Sequence, residues 1–217
     1  MYGVLRSLLF VLFVKPVVIV ILGVNARGLE NLPRGGPAIL VANHNSHLDT
    51  LVLLSLFPLR MLPLLRPVGA RDYFHRNRVT TWFSRRILRL IPLDRCPAPG
   101  GPHPLSECVE ALQHGEILLM FPEGSRGNPE EMGPFKTGIA HLAQTLPGAP
   151  AHPVFLRGTG KALPRGEALF VPHICDIALG EPLTWTGDRD SYMRTLQERF
   201  QTLSALFPTP QPPGQTP

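Results

Sequence analysis

One short apolar run limits this chain's fold more than any other feature. Ile39-Leu40-Val41-Ala42 has the length and composition of a buried strand, read as 38–42. The apolar pattern resumes in a helix read over 47–57. Between them Asn43, His44, Asn45, Ser46, His47 and Asp49 crowd into seven residues. Similar units recur downstream. Glu116–Phe121 reads as a short buried strand, 135–146 as a helix, and 151–156 as another strand. Residues 62–70 read as strand then loop, and 167–179 as a strand bent at Pro172. Helices are expected at 72–90, at 105–115 closed by Gly115, and at 188–206. Strands alternating with helices define an α/β class, with a central mostly parallel or mixed sheet flanked by helices. Pro208–Pro217 reads as a disordered tail.

At 217 residues there is room for one sizeable domain, and 44% hydrophobic residues can fill its core. The same apolar content points to contact with a membrane. Cys96, Cys108 and Cys175 form no CxxC pair, so neither a zinc knuckle nor a disulfide framework is indicated. Positive charge is concentrated. Between Arg60 and Arg95 nine arginines face only Asp72 and Asp94, a local charge of +7 in a chain of net charge +5. A solvated helix face accounts for several of these arginines. A surface for anionic lipid or phosphate is the functional alternative. No nucleic-acid module accompanies the charge, so no nucleic-acid partner is expected.

The N-terminus carries two apolar pieces, 8–14 and 17–22, separated by Lys15-Pro16. A spanning helix needs about 20 apolar residues. A lysine at its centre costs about 2.5–3.5 kcal/mol on insertion scales, and proline breaks or kinks a helix. The expected form is two short helices that dip into one leaflet, with Lys15 reaching the interface. A buried core hairpin fits this segment equally well. A secretory signal is a further rival, because Arg6 precedes the apolar run and Val24-Asn25-Ala26 has the look of a cleavage site. The interruption at Lys15-Pro16 counts against it.

Three motif matches fail. Gly158, Gly160 and Lys161 imitate the end of a P-loop, but Phe155 stands where the first glycine is needed and Ala162 where Ser or Thr is needed. Glu123–Gly127 has a glutamate in place of the first glycine of a serine-hydrolase elbow. His44, His47 and Asp49 have no further ligand and no HExxH pattern, so no metal site is expected.

His44 and Asp49 lie five apart and would not share a face of an ideal helix. At a strand-to-helix turn they can converge. Capping by Ser46 with Asp49 explains those two residues and leaves His44 unexplained. A histidine oriented by a carboxylate is a general base. With no serine nucleophile evident, the hydroxyl it activates belongs to a substrate. A second strand ends in Pro122, Glu123, Gly124, Ser125 and Arg126, a glycine-bearing loop suited to an anion, although Pro-Glu-Gly is also ordinary turn chemistry.

Together these two stretches resemble the glycerolipid acyltransferase family. Its NHxxxxD block matches Asn43-His44 to Asp49, and its FPEG[ST]R block matches Phe121 to Arg126. An intermediate block ending in arginine matches Leu90–Arg95, and a Pro- and Val-bearing strand matches 151–159. Residues 135–143 are also typical, and the likeness covers about residues 1–185. It implies transfer of a fatty acyl group from coenzyme A or acyl-carrier protein to the hydroxyl of a lysophospholipid, with 1-acylglycerol-3-phosphate first among the acceptors. His44 would be the base and Asp49 its orienting partner. Glu123, Gly124, Ser125 and Arg126 would bind the acceptor, with Arg95 assisting. No metal or redox cofactor is implied.

The implied architecture is a membrane-associated N-terminal segment, 1–27, an acyltransferase domain, 28–207, and the tail. The implied location is the cytoplasmic face of the cell membrane, against an anionic surface. One departure stands out: Gly69–Arg76 replaces the Lys- and Glu-bearing stretch of many phosphatidate-forming members. An amino-acid-based lysolipid is therefore a competing acceptor. Two other classes remain, a non-catalytic binder of anionic membranes and a thioesterase that uses the same base with water.

Overall fold

The computed structural model describes residues 2–71, 78–94, 100–125, 131–162 and 173–207. Its strands are β1 (Leu22–Arg27), β2 (Ala38–Ala42), β3 (Leu65–Ala70), β4 (Ile91–Leu93), β5 (Ile117–Met120), β6 (Ala151–Arg157) and β7 (His173–Leu179). Among the described residues these form one sheet in the order β1-β7-β6-β2-β5-β3-β4. Strand β2 lies parallel to both β5 and β6, and β3 parallel to both β4 and β5. The direction reverses between β6 and β7, and β1 follows β7. The sheet is mixed, with five adjacent strands running the same way.

Helices cover both faces of the central strands, which explains why β2 and β5 are apolar at every position rather than alternating. On one face Ile39, Val41, Leu118 and Met120 pack with residues of α5 (Ser106–Gln113), α6 (Gly138–Thr145) and α8 (Arg189–Ala205), among them Leu112, Leu142 and Phe200. On the other, Leu40, Ala42 and Leu119 meet Val52, Leu53 and Leu54 of α3 (Leu48–Ser55), together with Phe57, Phe10 and Val18. Two short helices complete the set, α4 (Arg78–Phe83) and α7 (Thr159–Ala162).

The N-terminal segment differs from the expected helical pair. Helix α1 (Tyr2–Leu9) runs through a π-helical turn at Phe10–Val14 directly into α2 (Lys15–Ile21). Val14 (φ −66°, ψ −52°) and Lys15 (φ −64°, ψ −45°) keep helical dihedrals, so the chain does not break at Lys15-Pro16. The wide turn explains this. Proline's missing N–H and its ring trouble an ordinary i−4 ladder, and a π turn just ahead of it loosens that ladder locally. Phe10 and Val18 pack on the core, while Leu5, Leu8, Val11, Leu12 and Phe13 remain exposed. No helix among the described residues is long and apolar enough to cross a membrane. The cleavage-like Val24-Asn25-Ala26 lies within β1, paired residue by residue with β7.

Other expectations shift more modestly. Residues 59–64 form a 3-10 helix, so the strand begins only at Leu65 and continues to Ala70. The described part of 72–90 is α4 followed by a second π turn, Ser84–Leu88. Strands β1 and β4 were not anticipated. The expected tail, and the 167–172 part of the bent strand, lie outside the described residues.

Candidate active site

Val41 pairs with Met120, so the parallel strands β2 and β5 end level with each other. The chain leaves both strands at the carboxyl edge of the sheet, where open α/β sheets form their ligand crevices. The two polar stretches, 78 residues apart from Asn43 to Phe121, are thereby brought together.

The turn from β2 into α3 is organised around a single atom. Asp49 is fully buried, and its Oδ2 accepts from the backbone N–H of Asn45 (2.6 Å) and of Ser46 (2.8 Å). The same oxygen lies 2.9 Å from His44 Nδ1. Because Oδ2 acts as acceptor to the two backbone groups, Nδ1 carries the imidazole proton and donates it. The lone pair is then on Nε2, the tautomer a general base needs. The His44 side chain is 18% exposed, reachable yet largely enclosed. The simple capping arrangement is not what forms: His47 occupies the helix N-cap, and the Ser46 hydroxyl accepts from the Leu48 N–H at 3.4 Å. His47 itself is exposed.

Two asparagines tie this turn to β6. Asn43 donates through Nδ2 to Leu156 O (2.8 Å) and accepts from Leu156 N through Oδ1 (2.7 Å). Asn45 Nδ2 donates to the same carbonyl at 2.8 Å. These bonds carry the β2–β6 pairing past the end of the strand and fix the backbone under His44.

The second loop locks onto the first in two ways. Phe121 stacks on the His44 imidazole, with centroids 4.0 Å apart and planes inclined at 17°. Glu123 is buried, and its Oε1 accepts from His44 N at 3.0 Å while Oε2 accepts from Gly133 N at 3.3 Å. Burial pushes the Glu123 carboxyl above its usual range, against the two backbone donors and His44, which pull it down. Its carboxylate is thus committed inside the protein, as a strut between the loops. Gly124 has φ +72°, a left-handed conformation open to glycine, and a Cβ there would stand 2.7 Å from Lys136 Nζ. Ser125 is exposed. Arg95 and Arg126 lie outside the described residues. No cluster with the makings of a metal site occurs among those described.

Sequence reasoning missed the roles of Phe121, Asn43 and Asn45. The signal for all three was present in the blocks themselves, since each lies in one.

The comparisons with known proteins fit this arrangement. The family model described as Acyltransferase matches residues 23–157, from β1 through β6 and across both loops. The chain belongs to that family. A chloroplastic 1-acyl-sn-glycerol-3-phosphate acyltransferase of Brassica napus is 33% identical over 148 residues, covering 68% of this chain and 41% of the relative. The chain thus spans about two-fifths of the length of the chloroplast relatives it matches. A lyso-ornithine lipid O-acyltransferase of Brucella abortus is 26% identical, covering 90% of this chain and 82% of the relative. The crystal structure of the 1-acyl-sn-glycerophosphate acyltransferase of Thermotoga maritima superposes with a TM-score of 0.72 at 22% identity, over 92% of this chain and 79% of that one. It shares this fold.

Proposed function

We propose that the protein is an O-acyltransferase that moves a fatty acyl group from a thioester to the hydroxyl of a lysophospholipid. The observation that carries this is the 2.9 Å contact of His44 Nδ1 with Asp49, which directs Nε2 to an acceptor. The acceptor hydroxyl gives its proton to Nε2 as its oxygen attacks the thioester carbonyl. Asp49 stabilises the imidazolium. Collapse of the tetrahedral intermediate expels the donor thiolate, which recovers the proton from His44. General base assistance of this kind supplies about 10²–10⁴ in rate. Gly124, Ser125 and Arg126 bind the acceptor, Arg95 and Arg126 meeting its phosphate with their planar forks, and Glu123 holds that loop against His44.

The preferred acceptor is 1-acylglycerol-3-phosphate, and the donor is acyl-CoA or acyl-carrier protein. A second acceptor, an amino-acid-based lysolipid, is favoured by one observation. The lyso-ornithine lipid relative covers more of this chain, 90%, than the chloroplast relative does, 68%. The unpartnered apolar ridge of Leu5, Leu8, Val11, Leu12 and Phe13 supports insertion into one leaflet, on the cytoplasmic face where thioester donors are made.

The test uses the purified full chain, a labelled acyl thioester and a panel of lysolipids, read by mass spectrometry. A diacyl product with one acceptor supports transfer and names the acceptor. Free fatty acid alone means a thioesterase, and no turnover means a membrane binder.

A further inference from the structure

At the opposite end of the sheet from His44 lies a second concentration of charge. Glu116 immediately precedes β5, and Phe121 immediately follows it. Five residues of extended chain place the two ends about 16 Å apart. At the Glu116 end, a cavity of about 360 Å³ is lined by Arg6, Ser7, Leu62, Pro63, Arg85, Arg86 and Arg89. Four arginines therefore border one small space.

Glu116 borders this cluster, and both its oxygens are engaged: Oε2 with Arg66 Nη1 at 2.7 Å, Oε1 with Arg89 Nη2 at 2.8 Å. Arg89 ends the Ser84–Leu88 turn at φ 55°, a left-handed conformation that costs a non-glycine residue about 1–2 kcal/mol. Among the described residues Arg6 has no such carboxylate. It is buried, at 3% exposure, its guanidinium carbon stands 6.0 Å from the Phe10 ring centroid, and its Nε, Nη1 and Nη2 have no hydrogen-bond partner among the described residues. Burial, and then the charges of Arg89 and Arg66, lower its pKa to about 10, which still leaves it a cation at neutral pH. A buried cation whose five N–H donors are all idle is costly unless an anion meets it.

We propose that this cavity is a phosphate-binding site, separate from the catalytic loops, in which Arg6, Arg85, Arg86 and Arg89 receive the phosphate group of an anionic phospholipid. Phosphate is the anion that arginine forks match best, and the buried Arg6 has its whole fork to offer one. The lipid source follows from α1. Arg6 and Ser7 line the cavity, while Leu5 and Leu8 beside them are exposed. A headgroup in the cavity would lay its acyl chains along that ridge. Bound lipid would neutralise Arg6 and fasten α1 to the N-terminal edge of the sheet.

The test is calorimetric titration of the full chain in neutral detergent with three probes: inorganic phosphate, dihexanoyl phosphatidic acid and dihexanoyl phosphatidylcholine. Saturable binding of a phosphate-monoester probe is expected in the parent protein and in Arg126→Ala. It should weaken at least about tenfold in the surface variant Arg85→Gln/Arg86→Gln, the loss of one or more charge-assisted bonds. Phosphatidic acid binding at least tenfold more tightly than inorganic phosphate identifies a headgroup site, and equal affinities identify a site for the free anion. In Arg6→Gln, thermal stability should stop depending on phosphate. If that variant does not fold, the double variant carries the test. Absence of saturable binding, or binding that vanishes in Arg126→Ala and persists in Arg85→Gln/Arg86→Gln, overturns the proposal. No turnover is measured, so the outcome is independent of the acyltransfer reading.

Discussion

The Phe121 ring lies nearly flat on the His44 imidazole, at 4.0 Å and 17°. One face of the His44 ring, the proposed general base, is thereby closed, and its Nδ1 edge is held by Asp49. Phe121→Leu keeps an apolar side chain and loses the flat support. The variant should fold, with a melting temperature within a few degrees of the parent, while kcat falls about tenfold, the sensitivity expected when a catalytic group is misplaced slightly. Unchanged kcat would make the stack a packing contact only.

His44→Ala should remove most activity, about 10²–10⁴-fold, with little effect on folding. Asp49→Asn should lose nearly as much. It should also destabilise, because Oδ2 serves two buried backbone N–H groups as well as His44, and each orphaned donor costs about 1–3 kcal/mol. His47→Ala should be mild on both counts. Thermal melts beside thioester assays separate these effects, and equal losses at His44 and His47 would refute the assignment.

Glu123 gives a pH signature. Its carboxyl holds a proton more tightly in the folded protein than in the unfolded chain, whose value is near 4.5. Its contribution to stability is therefore fullest below that value and is lost as pH rises through the folded one. Glu123→Gln keeps one acceptor for the two N–H groups and cannot ionise. The variant should be less stable than the parent near pH 5, and the gap should narrow toward pH 8 in thermal melts. A gap that widens would show that the ionised form is the one the loops prefer.

The proposed seating of the exposed α1 and π-turn ridge in one leaflet predicts how the protein would be released from membranes. Burying a large apolar side chain is worth about 1.5–3 kcal/mol. Replacing Leu8, Leu12 and Phe13 together with Gln should turn a detergent-requiring protein into one released by high salt, as seen by fractionation and immunoblot. Continued resistance to salt would place the anchor elsewhere. Deleting 1–24 is a poorer test, because it also removes half of β1, Leu22–Arg27.

What could be read in advance follows burial. Strands β2 and β5 are enclosed on both faces and so are unbroken apolar runs. Strand β1, at the edge, has the sequence LGVNAR with a mixed burial pattern, and β4 is three residues with a proline at its centre. Neither carries a strand signal. His44 and Asp49 were legible because a local turn joins them. The Glu123 bonds to His44 and Gly133 join side chain to distant backbone, and a backbone N–H leaves no mark on residue type. The helix running through Lys15-Pro16 was illegible for a similar reason, since a π turn shifts the ladder without a distinctive residue.

The chain that departs after the FPEG turn is closed at its base. Gly133 N returns to Glu123, and Lys136 N donates to Pro122 O at 2.8 Å. What lies between these stitches is tethered at both ends by groups outside itself. Lengthening a closed segment is cheap, about 0.6 kcal/mol for each doubling. The number of residues between the two stitches can therefore change at little cost while Glu123 keeps its hold on the His44 backbone. Segment length here is a property that can vary without moving the turn that carries His44 and Asp49.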